Sequence, residues 1–170
     1  MPELKQFGLI NREAEKLILE KSDLKVRLIK TPEPEVIAAV ATLEAQAFGR
    51  GGLNEWHLPV IARYGRLYVL ESGTRILAAA SLIKGWTVRG AYLIDLVVER
   101  ELRGQGCGRL LMEQVVDRLK KEDISFLELT VAKDNISAIN LYHLLGFEKT
   151  DTRLNEYGPG HDRLAMSVKI

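Results

Sequence analysis

The chain has 170 residues, which is room for a single domain and not for two full hydrophobic cores. Hydrophobic residues make up 46% and charged residues 28%, a composition typical of soluble globular proteins and unlike that of disordered or collagen-like chains. Lys plus Arg number 24 and Asp plus Glu number 23, a net charge of +1. The sequence therefore has no basic excess to support a nucleic-acid partner.

Membrane and metal roles are also disfavoured by the sequence. The longest apolar runs, such as Ile76 to Ile83, are strand-sized, whereas a membrane-spanning helix needs about 20 residues. Residues 1–10 lack the apolar core of an export signal, so we predict a cytoplasmic protein with no membrane partner. The one cysteine, Cys107, excludes an internal disulfide, and three dispersed histidines predict no metal site.

The first residues are predicted to form a helical extension, 1–24, ahead of one domain over 25–170. Within 11–21, apolar residues such as Ala14 and Leu17 recur at helical spacing among charged residues, which predicts an amphipathic helix. We expect this helix to cover one edge of the domain. The alternative is that it forms a homodimer contact or a lid over the substrate.

Beyond the extension, the hydrophobic period switches between that of strands and that of helices. The order is strand, two helices, three strands, helix, strand, helix and two strands, which predicts an α/β sandwich built on a mixed sheet. The predicted strands cover about 26–30, 67–70, 75–84, 91–98, 126–132, 146–152 and 164–170. The predicted helices cover about 34–48, from 54 or 58 to 64, 106–122 and 136–145.

A glycine-rich turn leads from a buried strand into the clearest helix. It reads Arg103-Gly104-Gln105-Gly106-Cys107-Gly108, and its glycines allow the backbone to approach an anion at the free N–H groups of the helix start. The spacing is neither that of a P-loop nor that of a dinucleotide-binding turn. The turn favours pyrophosphate binding, although a tight strand-to-helix connection alone explains the same glycines.

A second motif follows the next strand and reads Asn135-Ile136-Ser137-Ala138-Ile139-Asn140-Leu141-Tyr142, with Gly146-Phe147 shortly after. Asn135 and Tyr142 are seven residues apart, almost two helical turns, so they share one face of the helix. By itself, a tyrosine in an apolar helix is most often a core ring with its hydroxyl at the edge.

Together the two motifs resemble those of the GNAT superfamily of acetyl-CoA-dependent N-acetyltransferases. The turn matches the Arg/Gln-x-x-Gly-x-Gly/Ala motif of that superfamily, and 135–147 resembles its Asn-x-x-Ala-x-x-Leu-Tyr motif with the following Gly-Phe. The resemblance covers roughly 26–170. It implies an α/β fold with a mixed, mostly antiparallel sheet, a splayed parallel strand pair and helices on both faces, and it implies acetyl-CoA as acyl donor without a metal.

The resemblance also implies where the cofactor lies. The strand that ends at Val98 would splay from its parallel neighbour, and the pantetheine arm would occupy the gap and bind main-chain groups like a missing strand. For Cys107 we expect a small side chain that fills its position and not a reactive thiol. The implied cofactor-binding residues are Leu96, Val97, Val98, Arg103, Gly104, Gln105, Gly106, Cys107, Gly108 and Asn135.

Direct acyl transfer to an amine requires removal of the amine's proton, stabilisation of the oxyanion and a proton donor for the thiolate. The resemblance implies that Tyr142 is the donor and that a main-chain N–H of the splayed strand meets the oxyanion. Asp95, Tyr92 and Glu128 are the candidate bases, and we favour Asp95, whose simpler role would be to fix the splayed backbone. Alternation places Tyr92 opposite Asp95 unless a β-bulge intervenes, and strands of this superfamily often carry one there.

The acceptor is the least defined part of the reaction. The fold usually recognises its amine through the loops over 49–56 and 153–163, where Glu55, Glu156 and Asp162 would attract a cation, although loop carboxylates are more commonly just solvated. We predict that the acceptor is a primary amine of a small molecule. The alternatives are a protein N-terminus or lysine, and a non-catalytic acyl-CoA-binding module.

Overall fold

The computed structural model of the protein describes residues 23–86 and 89–170. The helix predicted over 11–21 therefore lies outside the described residues, as does nearly all of the extension assigned to 1–24. Leu24, which the prediction assigned to that extension, is the first residue of the first strand.

Seven strands and four α-helices make up the described part of the chain, in the predicted order. The strands are β1 Leu24–Ile29, β2 Arg66–Ser72, β3 Arg75–Lys84, β4 Gly90–Val98, β5 Phe126–Ala132, β6 Glu148–Arg153 and β7 Arg163–Lys169. The helices are α1 Pro34–Phe48, α2 Leu58–Tyr64, α3 Cys107–Leu119 and α4 Ile136–Leu144, with short 3-10 turns at Gly49–Gly51, Arg100–Leu102 and Lys120–Glu122.

The strands form one sheet in the order β1-β2-β3-β4-β5-β7-β6. Every neighbouring pair is antiparallel except β4 and β5, which run parallel and are connected through α3. The predicted mixed, mostly antiparallel sheet with one parallel pair is confirmed.

The parallel pair separates part of the way along. Residues Gly90–Leu93 of β4 pair with Phe126–Leu129 of β5, but β4 continues to Val98 and β5 continues to Ala132 without further pairing to each other. The separation begins beside a β-bulge at Ile94, because Leu82 of β3 pairs with Leu93 while its neighbour pairs with Asp95. An extra residue in one strand bends that strand, so the bulge turns the end of β4 away from β5.

A core lies on each face of the sheet. Under α1 and α2 the sheet contributes side chains such as Val69 and Val97, while under α3 and α4 it contributes side chains such as Leu93 and Leu129. Helices on both faces confirm the predicted layers. Within the described ranges, no helix is long and apolar enough to span a bilayer, and no three side chains are grouped as a metal site would require.

Candidate active site

The gap between β4 and β5 exposes a length of unpaired backbone. Residues 94–98 have β3 as a partner on one side, and residues 130–132 of β5 have β7 as theirs. Because paired strands exchange N–H and C=O groups along both edges, each strand has one edge free where the pair separates. An extended amide-containing chain has the donors and acceptors to bind there.

The glycine-rich turn lies directly after the free edge of β4. Gly104 and Gly106 have φ angles of 74° and 88°, and a Cβ atom on either glycine would meet no atom within 4 Å. Gly106 precedes α3, whose first-turn N–H groups have no intrahelical carbonyl to bind. A side-chain-free surface of backbone N–H groups at a helix start is a geometry suited to a pyrophosphate.

Two side chains of the turn bind its own backbone. Arg103 Nε donates to the carbonyl of Val98 at 3.1 Å, and Gln105 Nε2 donates to the carbonyl of Glu101 at 2.7 Å. Both bonds fix the connection between β4 and α3. The Cys107 thiol is buried, and this burial raises its pKa, as expected for a packing residue and not for a reactive thiol.

Tyr142 lies on α4 and is buried in the core beneath α3 and α4. Its ring packs against Phe147 with 5.5 Å between ring centroids. Burial raises the pKa of its phenol, and the nearby Asp95 carboxylate raises it further, so Tyr142 keeps its proton at neutral pH. Asn135 caps the same helix, because its side-chain oxygen accepts a hydrogen bond from the N–H of Ala138 at 3.2 Å.

Asp95 lies on the opposite face of the sheet from α3, toward α1. Both of its carboxyl oxygens are buried without a hydrogen-bond partner among the described residues. Burial, together with the neighbouring carboxyl of Glu44, raises the pKa of Asp95 to about 8. A carboxyl group with this pKa is protonated for most of the time at neutral pH, and its ionised form is a stronger base than an exposed aspartate.

The bulge also settles the orientation of Tyr92. With Ile94 as the extra residue, Tyr92 and Asp95 both face α1, since Leu93 packs in the core under α3. The Tyr92 hydroxyl lies 2.9 Å from the Thr130 hydroxyl and 3.4 Å from that of Tyr157, and the latter two are 3.3 Å apart. These three hydroxyls, which we call the hydroxyl cluster, lie where β4 and β5 begin to separate.

Glu128 is the third candidate base, and it is already bound to a cation. Arg153 donates to Glu128 at 2.6 Å and to Glu156 at 3.3 Å. The carboxylate of Glu128 is thus already occupied by an ion pair, and Asp95 has a pKa raised to about 8.

Three contributors to this site were not singled out from the sequence. Glu44 was missed although it lies on the apolar stripe of α1, seven residues or almost two helical turns after Ile37. Thr130 was missed because a threonine in a strand has no distinguishing pattern. Arg153 was named only as the start of a loop, and its two ion pairs depend on the register of β6.

These features define a sheet whose parallel strand pair separates, a glycine-rich turn before a helix and a buried carboxyl group. The model of the Acetyltransferase (GNAT) family matches residues 41–147, a range that includes the gap, the turn and Tyr142. The chain belongs to the GNAT acetyltransferase family.

Particular relatives include two kinds of acetyltransferase. The chain is 39% identical over 95 residues, 56% of its length, to the [ribosomal protein bS18]-alanine N-acetyltransferase of Escherichia coli, but this match spans only 62% of that relative. It is 38% identical over 61 residues, 36% of each chain, to thialysine N-epsilon-acetyltransferase of Mus musculus. The crystal structure of the ribosomal-protein-S18-alanine N-acetyltransferase from Escherichia coli superposes with a TM-score of 0.71 at 25% identity, over 86% of this chain and 94% of that one.

We expect Gly106→Ala to lower the free energy of unfolding by roughly 1–2 kcal/mol, because an L-residue at a φ of 88° is strained. Urea unfolding measures the change. Gly51→Ala is the matched control, since Gly51 also has open space around it but no positive φ. We expect this substitution to raise the free energy of unfolding by at most about 1 kcal/mol. Equal effects at the two positions would contradict the left-handed turn.

Proposed function

We propose that the protein is an N-acetyltransferase, which transfers the acetyl group of acetyl-CoA directly to a primary amine. The observation that carries this proposal is the separation of β4 from β5 directly before the glycine-rich turn. Membership of the GNAT family supports it. The sequence-based expectation of a cytoplasmic protein is part of the same proposal.

In this proposal the cofactor binds along the gap. The free edge of β4 at Leu96, Val97 and Val98 pairs with the amide groups of the pantetheine arm, and Asn135 lies beside that arm. Acetyl-CoA supplies an activated thioester when bound. The pyrophosphate binds the N–H groups of the turn, with residues Arg103, Gly104, Gln105, Gly106, Cys107 and Gly108 around it.

Tyr142 is the proposed general acid. Its raised pKa keeps the phenol protonated, and a phenol that stays protonated is able to donate to a thiolate, which becomes strongly basic only as it leaves. Burial of the residue, which is 7% exposed, also limits competition from water.

Asp95 is the proposed acceptor of the amine's proton. Its pKa of about 8 is close to that of a peptide α-ammonium group, about 8, and far below that of a lysine side chain, about 10.4. Because both carboxyl oxygens are buried, we propose that the proton reaches Asp95 through an intervening hydroxyl or water. The hydroxyl cluster binds the amine itself, since burial keeps Tyr92 neutral by raising its pKa to about 12.

We propose the α-amine of a peptide as the acceptor. The loops that flank the site expose large apolar side chains: Trp56 is 85% exposed after α1, and Leu154 and Tyr157 are 69% and 58% exposed between β6 and β7. Exposed apolar groups on both loops favour a partner that extends beyond a pocket. The relative that acetylates a ribosomal protein alanine agrees with this choice.

A small-molecule amine, which the sequence analysis favoured, is the second candidate. The relative named for thialysine supports it. The ion pairs of Arg153 with Glu128 and Glu156 argue against it for diamines, because these carboxylates are already neutralised and would not attract a second ammonium group.

The two acceptors are separated by a panel of amines. One peptide begins with a free alanine, a second is the same peptide with a blocked N-terminus and an internal lysine, and thialysine represents small amines; release of the CoA thiol is measured. We expect kcat/KM for the peptide with the free N-terminal alanine to exceed kcat/KM for the blocked peptide and for thialysine by at least about tenfold. A preference for thialysine would overturn the peptide assignment, and acetyl-CoA binding without turnover of any amine would favour the acyl-CoA-binding module.

Tyr142→Phe tests the general acid. We expect kcat to fall by about 10²–10⁴-fold with little change in the affinity for acetyl-CoA, because the ring still packs against Phe147. Steady-state kinetics and calorimetric titration measure the two quantities. Tyr64→Phe, at an exposed position of α2, is the control, and a kcat for Tyr142→Phe equal to that control would remove Tyr142 from its role.

A further inference from the structure

Three polar side chains from three elements lie close together beneath α1 and have buried atoms without a hydrogen-bond partner among the described residues. They are Glu44 of α1, Ser81 of β3 and Asp95 of β4; Ser81 and Asp95 are paired residues at the bulge. Glu44 Oε1, Ser81 Oγ and both Asp95 oxygens are buried and lack hydrogen-bond partners among the described residues. Two ionised carboxylates in such surroundings repel each other, so the arrangement is stable only with a proton between them.

The other oxygen of Glu44 holds a loop. The N–H of Leu53 donates to Glu44 Oε2 at 3.1 Å, and Gly52 lies so close that a Cβ atom there would be 2.8 Å from the Glu44 carbonyl oxygen. The segment 49–53 is therefore docked on the end of α1. This segment begins the loop that carries Trp56, one side of the proposed acceptor groove.

We propose that Glu44 and Asp95 share one proton, and that through it Glu44 acts as a positioning residue that joins the acceptor loop 49–53 to the bulge of β4. The carboxylic acid of one residue donates to the carboxylate of the other, and no other group changes its bonding. The link to the acceptor rests on the proposed function. The shared proton does not.

The electrostatics place the proton mainly on Asp95. Burial raises the pKa of Glu44, while the bond from Leu53 and the contact with Asp95 lower it. Asp95 has no donor comparable to the Leu53 N–H, and burial together with the Glu44 carboxyl raises its pKa to about 8 although the nearby Ser81 lowers it in part. Glu44 therefore carries the charge that binds the loop, and Asp95 carries the proton.

The surrounding ionisable groups do not change charge in the same range. Tyr142 of α4 is affected by Asp95, by Tyr92 of β4 and by Arg163 of β7. Both tyrosines have raised pKa values, and arginine remains a cation at all relevant pH values. Among these groups, the carboxyl pair is the one that titrates near neutral pH.

The shared proton has a consequence for stability. Because the folded-state pKa of Asp95 lies above that of an unfolded aspartate, the folded protein binds the proton more tightly. The stability that the proton contributes is fully present below the unfolded pKa, about 4, and is lost as the pH rises through about 8. Loss of the proton leaves two facing carboxylates and loosens the acceptor loop.

Glu44→Gln tests the pair in the full-length chain. The glutamine amide still accepts from Leu53 and donates to Asp95, so Asp95 ionises more easily. Urea unfolding from about pH 5 to about pH 9 should show the wild-type stability falling with pH, with roughly two thirds of that fall in the variant, because burial still raises the pKa of Asp95 there. Glu113→Gln, on the exposed side of α3, is the control and should follow the wild type; a Glu44→Gln profile equal to the wild-type profile would overturn the proposal.

Two measurements remain informative if the variant folds poorly. Carbon-13 NMR of carboxyl groups in the wild type should show one carboxyl that titrates near pH 8, and titration of all carboxyls near pH 4 would refute a shared proton. In active protein, Glu44→Gln should move the acidic limb of kcat/KM by about one pH unit downward, and an unmoved limb would refute the positioning role. Absence of transferase activity would instead overturn the proposed function and leave the NMR result standing.

Discussion

The separation of β4 from β5 is the constraint on which the rest of the site depends. Four residue pairs hold the strands together, and beyond them the bulge at Ile94 turns β4 away. Unpaired backbone inside a protein is costly, so a sheet that opens in this way is stable only if solvent or a ligand binds the free edges. The glycine-rich turn follows the same strand, so the free edge leads to the start of α3, where the proposed anion site lies.

The bulge has a second effect, because it determines on which face of the sheet the side chain of Asp95 lies. It places Asp95 on the same face as Tyr92, toward α1, while Tyr142 lies in the core on the other face. Burial acts on the acid and the base in the same direction, because it raises the pKa of a phenol and of a carboxyl group alike. The proposed donor therefore keeps its proton, and the proposed base has a pKa close to that of a weakly basic amine.

The sequence predicts the fold well and the site in part. The periodicity predicts every described strand and helix to within two residues, apart from the last turn of the third helix, where 120–122 form a 3-10 turn. The two motifs predict the gap and the turn through resemblance. The contacts of Tyr157 were beyond prediction, since its loop has no periodicity and its position depends on the hairpin between β6 and β7.

Glu44 shows a different limit. Ile37, Val40 and Glu44 follow one another at helical spacing on the buried stripe of α1, so a carboxyl in the core was visible in the sequence. Its partner was not, because Asp95 reaches the same face only through the bulge. A buried charge can be read from periodicity, whereas the group that balances it depends on tertiary structure.

Hydrogen exchange of the backbone amides at 94–98 tests the central claim most directly. If the free edge of β4 binds the pantetheine arm, saturating acetyl-CoA should slow exchange in this segment by at least about tenfold, while amides of β2, which has strand partners on both sides, should change little. Unchanged exchange at 94–98 with bound acetyl-CoA would contradict the account.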